Sequence, residues 1–171
     1  MERIYHKVPE PSIFFSVIKF EGEQMELIKK SVDSVIEKDR IGSPVFLRCV
    51  LNIAGETSNL LQPTAEMAAL SNGWIPSQPQ RVYAQGDADA TQVTVMIQYV
   101  GGQMAVLSIN RVDTETAIDI MLVGNKGVIY HETPIGRHYL SATPHQLSAI
   151  GELTETISNA LATGQPITVE G

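Results

Sequence analysis

Val93-Thr94-Val95-Met96-Ile97-Gln98-Tyr99, then Gly101-Gly102, then Met104-Ala105-Val106-Leu107-Ser108-Ile109-Asn110, is the stretch that decides the fold class. Val93, Val95, Ile97 and Tyr99 alternate with Thr94, Met96 and Gln98, the period of two that puts apolar side chains on one face of a strand. Gly101-Gly102 reads as a two-residue hairpin turn, so the second run comes back antiparallel to the first. A third segment, Ala117 to Val123, places Ile118, Ile120 and Leu122 on one face and ends at the turn Gly124-Asn125-Lys126-Gly127. Val128 to His131 then pairs back. Strands that alternate in this way bury one face of a sheet and leave the other polar or only partly covered.

Towards the N-terminus, Pro11 to Phe20 is rich in β-branched and aromatic residues and reads as a mostly buried strand. After Gly22 the period changes. Met25, Ile28, Val32, Val35 and Ile36 recur at helical spacing, which predicts an amphipathic helix over 22–38, with Glu26 placed to support Lys29 and Lys30 on its charged face. Gly42 and Pro44 separate it from a strand at Val45 to Ile53. Gly55 to Asn59 is a loop, and Pro63 suits the first turn of a helix running to Gly73. Towards the C-terminus, Thr143, Pro144 and Gln146 form an N-cap pattern ahead of an apolar stripe through Leu147, Ile150, Ile157 and Leu161. Gly164 ends that helix, and Ile167 with Val169 adds a terminal strand.

Composition limits the classes of function. With 171 residues and 43% apolar side chains, the chain makes one ordinary core. No apolar run reaches the ~18 residues of a membrane-spanning helix, and Met1 to Lys7 lacks an apolar region behind its charges, so a cytoplasmic location is expected. The single cysteine, Cys49, lies in an apolar run and reads as a small buried hydrophobe. A formal charge of −7, without a Lys/Arg cluster, argues against a nucleic-acid partner.

No Gly-x-Gly-x-x-Gly or phosphate loop follows a strand, so no dinucleotide cofactor is expected. There is no Gly-x-Ser-x-Gly elbow. His6, His131, His138 and His145 are poorly spaced for a metal, and Asp87, Asp89, Asp113 and Asp119 read as solvated residues of turns and strand ends. Neither catalytic nor metal-binding residues are assigned. The one pocket expected is lined by Trp74, His131 and His138. Tyr99, Met96, Met104 and Met121 read as core or as a subunit interface, since pairing two open sheet faces would bury both.

The order of segments carries a resemblance. Ile28, Lys30, Val32, Ile36, Ile41-Gly42-Ser43-Pro44-Val45 and Arg48, then Pro79 to Ala84, Ala90 to Tyr99, Gly101 to Leu107, Ile118 to Gly127, and Ile157 to Leu161 with Thr163 to Ile167 resemble the C-terminal sheet domain of the glucose-fructose oxidoreductase / inositol dehydrogenase (Gfo/Idh/MocA) family. The similarity covers about residues 13 to 171. It implies an α+β domain: a single, mainly antiparallel open sheet of about six strands, with two or three helices packed on one face. Residues 1–12 are read as an extension and 13–171 as the domain. The family's Rossmann domain and Glu-Lys-Pro motif have no counterpart here, since Lys7-Val8-Pro9 does not match. The family's Asp and His of the catalytic stretch are not found in Gln62-Pro63-Thr64-Ala65-Glu66-Met67. The expectation is a non-catalytic module that forms a homo-oligomer through its open sheet face and takes a small polar, sugar-like ligand. The alternative is a half-enzyme completed by a dehydrogenase partner chain that binds NAD(P). Neither membrane nor nucleic acid is expected as a partner.

Overall fold

The structure is a computed structural model that describes residues 26–55, 59–87, 89, 91–134 and 144–169. The strand expected at Pro11 to Phe20, the N-cap at Thr143, His138 and the 1–12 extension lie outside the described residues.

Helix α1 covers 26–37 and turns Ile28 and Val32 into the core. It ends in a left-handed cap at Asp39 (φ 53°), where Asp39 N–H donates to Ile36 O at 2.9 Å and Arg40 N–H to Val35 O at 3.1 Å. The chain then forms β1 (Pro44–Ala54), α2 (Leu61–Trp74), β2 (Pro79–Gly86), β3 (Gln92–Tyr99), β4 (Met104–Val112), β5 (Ala117–Gly124), β6 (Val128–Pro134), α3 (Pro144–Thr163) and β7 (Ile167–Thr168). Pro63 sits in the first turn of α2 as expected, and Asn59 Oδ1 accepts the Leu61 N–H at 2.7 Å.

The strands of the described residues form one sheet of seven, in the order β6-β5-β1-β4-β3-β2-β7. This corrects the expected six-stranded, mainly antiparallel sheet in two respects. The seventh strand is β7, which pairs with β2 through Arg81↔Thr168 and Val82↔Ile167 and so covers an edge that would otherwise be open. β1 also pairs in parallel with β4, from Phe46↔Met104 to Ala54↔Val112. The cause is topological. Helix α2 returns the chain across the sheet so that β2 runs with β1, and two hairpins then make β4 run with β2. The first of those turns is longer than expected. Tyr99 N–H donates to Gln103 O at 2.9 Å and Gly102 is left-handed (φ 82°), giving a three-residue loop of Val100, Gly101 and Gly102.

The core lies between the sheet and the helices. Leu47, Cys49, Leu51 and Ile53 of β1 face it, beside Leu107 and Ile109 of β4, Val93, Val95, Ile97 and Tyr99 of β3, and Ile118, Ile120 and Leu122 of β5. Helix α2 packs on β1, β3 and β4 and against α3, which itself covers β2 and β7. At the other end of the sheet the 124–127 turn clasps the α1–β1 loop. Lys126 N–H donates to Ile41 O at 2.9 Å, Asn125 N–H to Ser43 O at 3.1 Å, and Ser43 N–H to Asn125 Oδ1 at 3.1 Å. Gly124 is required there, because a Cβ would stand 2.1 Å from Ile41 O.

Candidate functional site

Period-2 alternation sends every second residue of each strand to the face away from the helices. Register then assembles them into rows that cross the sheet. One row reads Val128, Val123, Phe46, Met104, Gln98 and Arg81. The next reads Tyr130, Met121, Arg48, Val106, Met96 and Tyr83. A third runs Glu132, Asp119, Val50, Ser108, Thr94 and Gln85, and a fourth Ala117, Asn52, Asn110 and Gln92. None of these side chains is buried, and Met96, Val128 and Tyr130 are each more than 40% exposed.

The face has two halves. The first two rows are largely apolar. The last two hold a hydrogen-bonded ladder of neutral groups: Gln92 Nε2 donates to Ser108 Oγ at 3.1 Å, Ser108 Oγ to Asn110 Oδ1 at 3.2 Å, and Asn110 Nδ2 to Asn52 Oδ1 at 2.9 Å. Between the halves lies an ion pair, Arg48 Nη1 to Asp119 Oδ2 at 3.5 Å. Tyr130 Oη lies 3.4 Å from Asp119 Oδ2 and 3.3 Å from Glu132 Oε2. Lost hydration, and then the two carboxylates, push the Tyr130 phenol above its usual range. Asp119 Oδ1 is a buried acceptor with no hydrogen bond among the described residues.

Asp119 is therefore not a turn residue, as its sequence neighbourhood suggests; it is the third residue of β5, with its side chain on the open face. Its location was legible in the alternation of Ile118, Ile120 and Leu122. The cation opposite it was not, because Arg48 lies 71 residues away in sequence. Met96, Met104 and Met121 share this face, whereas Tyr99 belongs to the core.

The helix side holds the other polar groups. Tyr99 Oη donates to Asn72 Oδ1 at 2.7 Å and lies 3.1 Å from Ser71 Oγ; burial pushes its pKa to about 12, against the Ser71 hydrogen bond. Gln62 Nε2 donates to Glu66 Oε1 at 3.0 Å, and burial raises the Glu66 carboxyl despite that bond. The Cys49 thiol is driven well above its normal range by burial, with Asp119 adding to the effect and Arg48 opposing it. Trp74 ends α2 with its Nε1–H on Asp33 Oδ1 at 3.0 Å, so its polar atom ties α2 to α1. His131 stands on β6 opposite Ile120, and its Nε2 is buried without a hydrogen bond among the described residues. Among those residues no group of three His, Cys, Asp or Glu side chains could hold a metal, and no helix is long and apolar enough to cross a membrane.

A mixed open sheet with its helices on one side is a fold this chain shares with solved dehydrogenases. The chain shares that fold with myo-inositol dehydrogenase from Corynebacterium glutamicum (TM-score 0.67, 12% identity, 91% of this chain and 64% of that one). It is similarly close to myo-inositol 2-dehydrogenase from Lactobacillus plantarum (TM-score 0.62, 9% identity, 90% and 64%). A third such structure is scyllo-inositol dehydrogenase from Lactobacillus casei, which holds NAD(H) and scyllo-inositol (TM-score 0.60, 10% identity, 89% and 63%). The chain spans less than two thirds of each of these proteins. No protein-family model matches the sequence, and no curated protein does. The resemblance read from the order of segments thus holds at the level of fold: the chain has the α+β sheet fold that these dehydrogenases contain.

Proposed function

We propose that this domain is an assembly module, which joins a second copy of itself through the open face of its sheet. The observation that carries the reading is the pair of apolar rows built on Phe46, Met104, Val106, Met96 and Met121, which no described helix covers. Apolar side chains in contiguous rows are stabilised when a second surface removes them from water, at about 25 cal/mol per Å2. Six strands about 4.8 Å apart, crossed by four rows, offer on the order of 600 Å2 of flat area per copy, approaching the ~800 Å2 per partner of an ordinary stable interface.

Light scattering on the purified chain tests this. A dimer or larger species is expected at micromolar concentration, and Met96→Lys or Val106→Asp should yield folded monomers. A wild-type chain that stays monomeric at 100 μM or so overturns the reading.

A second reading is favoured by the fold, which is shared with solved dehydrogenases, one of which holds NAD(H). On this reading the domain completes a dehydrogenase whose NAD(P)-binding part is a separate chain, and a small polar ligand meets Trp74, His131 and His138. Support for the ligand comes from His131 Nε2, which is short of a hydrogen-bond partner among the described residues. A thermal shift with inositols that His131→Ala abolishes would favour it, and no shift with any polyol would count against it.

A further inference from the structure

Resting on the self-assembly reading, we infer that the Arg48–Asp119 pair is the specificity element of the interface: each charge is tolerated between the two sheets only because the other neutralises it. Arg48 projects from the central strand β1 in an otherwise uncharged setting, between Phe46 and Val50 along the strand and between Met121 and Val106 across it. It is the one charged residue in the middle of the apolar half, and its guanidinium reaches Asp119 at the border with the polar half. In the free domain water serves both groups, since the side chains remain 44% and 25% exposed. Closing a second sheet over them removes that water. A charge without its partner then becomes a large penalty, which the intact pair offsets in part.

The occupant argued for is a second copy. A cation and an anion side by side at the centre of a face form a motif that complements itself under a two-fold axis, so each pair meets the reversed pair of the other copy. The other ionisable groups facing the pair are Tyr130 and Glu132 of β6; β4 and β3 present only Val106, Ser108, Met96 and Thr94.

Equilibrium sedimentation on the wild type, Arg48→Met, Asp119→Asn and the double variant tests the inference, with circular dichroism reporting folding. Each single variant should weaken association tenfold or more, and the double variant should return to within about threefold of the wild type. Exchanging the charges gives a separate readout: Arg48→Asp alone should abolish association, and Arg48→Asp combined with Asp119→Arg should restore it to within about tenfold of the wild type. Single variants that associate like the wild type, effects that merely add in the double variant, or an exchanged pair that stays as weak as Arg48→Asp overturn the inference. If one single variant does not fold, the exchanged pair decides. A wild type that never associates refutes the assembly reading itself, and a wild type that associates while Asp119→Asn is indifferent refutes only the role of the pair.

Discussion

The Tyr99 phenol reaches through the core from β3 to the last turn of α2, where Asn72 and Ser71 meet it. It is the largest fully buried side chain and the only one that ties sheet to helix by hydrogen bonds at its tip, among the described residues. Removing its hydroxyl leaves the Asn72 carbonyl and the Ser71 hydroxyl without that partner. Tyr99→Phe should therefore lower stability by about 1–2 kcal/mol in urea denaturation with the slope unchanged. Cys49 shows the opposite use of burial. Its thiolate is disfavoured chiefly by burial, so the folded protein at pH 8 should react with a thiol reagent only at the rate of its unfolding. The same reagent should label it within minutes in strong denaturant. Rapid labelling of the native protein would show that β1 opens locally.

Helix α2 is an element with little freedom. Pro63, Thr64, Ala65, Met67, Ala68, Ser71 and Trp74 are all buried, because it lies between the sheet and α3. Its buried hydroxyls are satisfied locally, Thr64 on Leu60 O at 2.6 Å and Ser71 on Ala68 O at 2.7 Å. Glu66 is its exception, a carboxyl held above its ordinary pKa by partial burial. A carboxyl raised in the folded state favours folding most below its unfolded pKa, and that advantage is lost as pH rises through the folded value. Glu66→Gln should consequently stabilise the domain at pH 7, with the gain vanishing near pH 4. A gain independent of pH would mean that its burial has another consequence. The clasp between the 124–127 turn and the α1–β1 loop is of the same scale. It fixes α1 at one end while Trp74 and Asp33 fix its middle.

For the molecule as a whole, the division of the sheet into a dry face and an open face is the property that matters. The dry face is closed by three helices and holds the fully buried side chains. The open face combines apolar rows with a neutral polar ladder, so it resembles neither a core nor an ordinary solvated surface. If association covers that face, the melting temperature must rise with protein concentration, since a partner that binds only the folded chain stabilises it by mass action. Calorimetry from about 5 to 500 μM measures this, and a melting point that does not move speaks for a monomer.

Alternation, read along the chain, was sufficient to place β3 and β5 and to say which of their side chains turn inward, and helical spacing did the same for Ile28 and Val32 of α1. Those patterns follow from dihedral angles within one element, and a side chain's direction is settled by its immediate neighbours. Glycine and proline likewise marked Gly124, Gly164 and Pro63 as ends and turns. Which strands lie side by side was beyond them. Every backbone offers the same donors and acceptors, so the insertion of β1 between β5 and β4, its parallel pairing, and the docking of β7 on β2 come from how the whole core closes. The meeting of Arg48 with Asp119, and the rows that surround them, exist only once that closure has set the register.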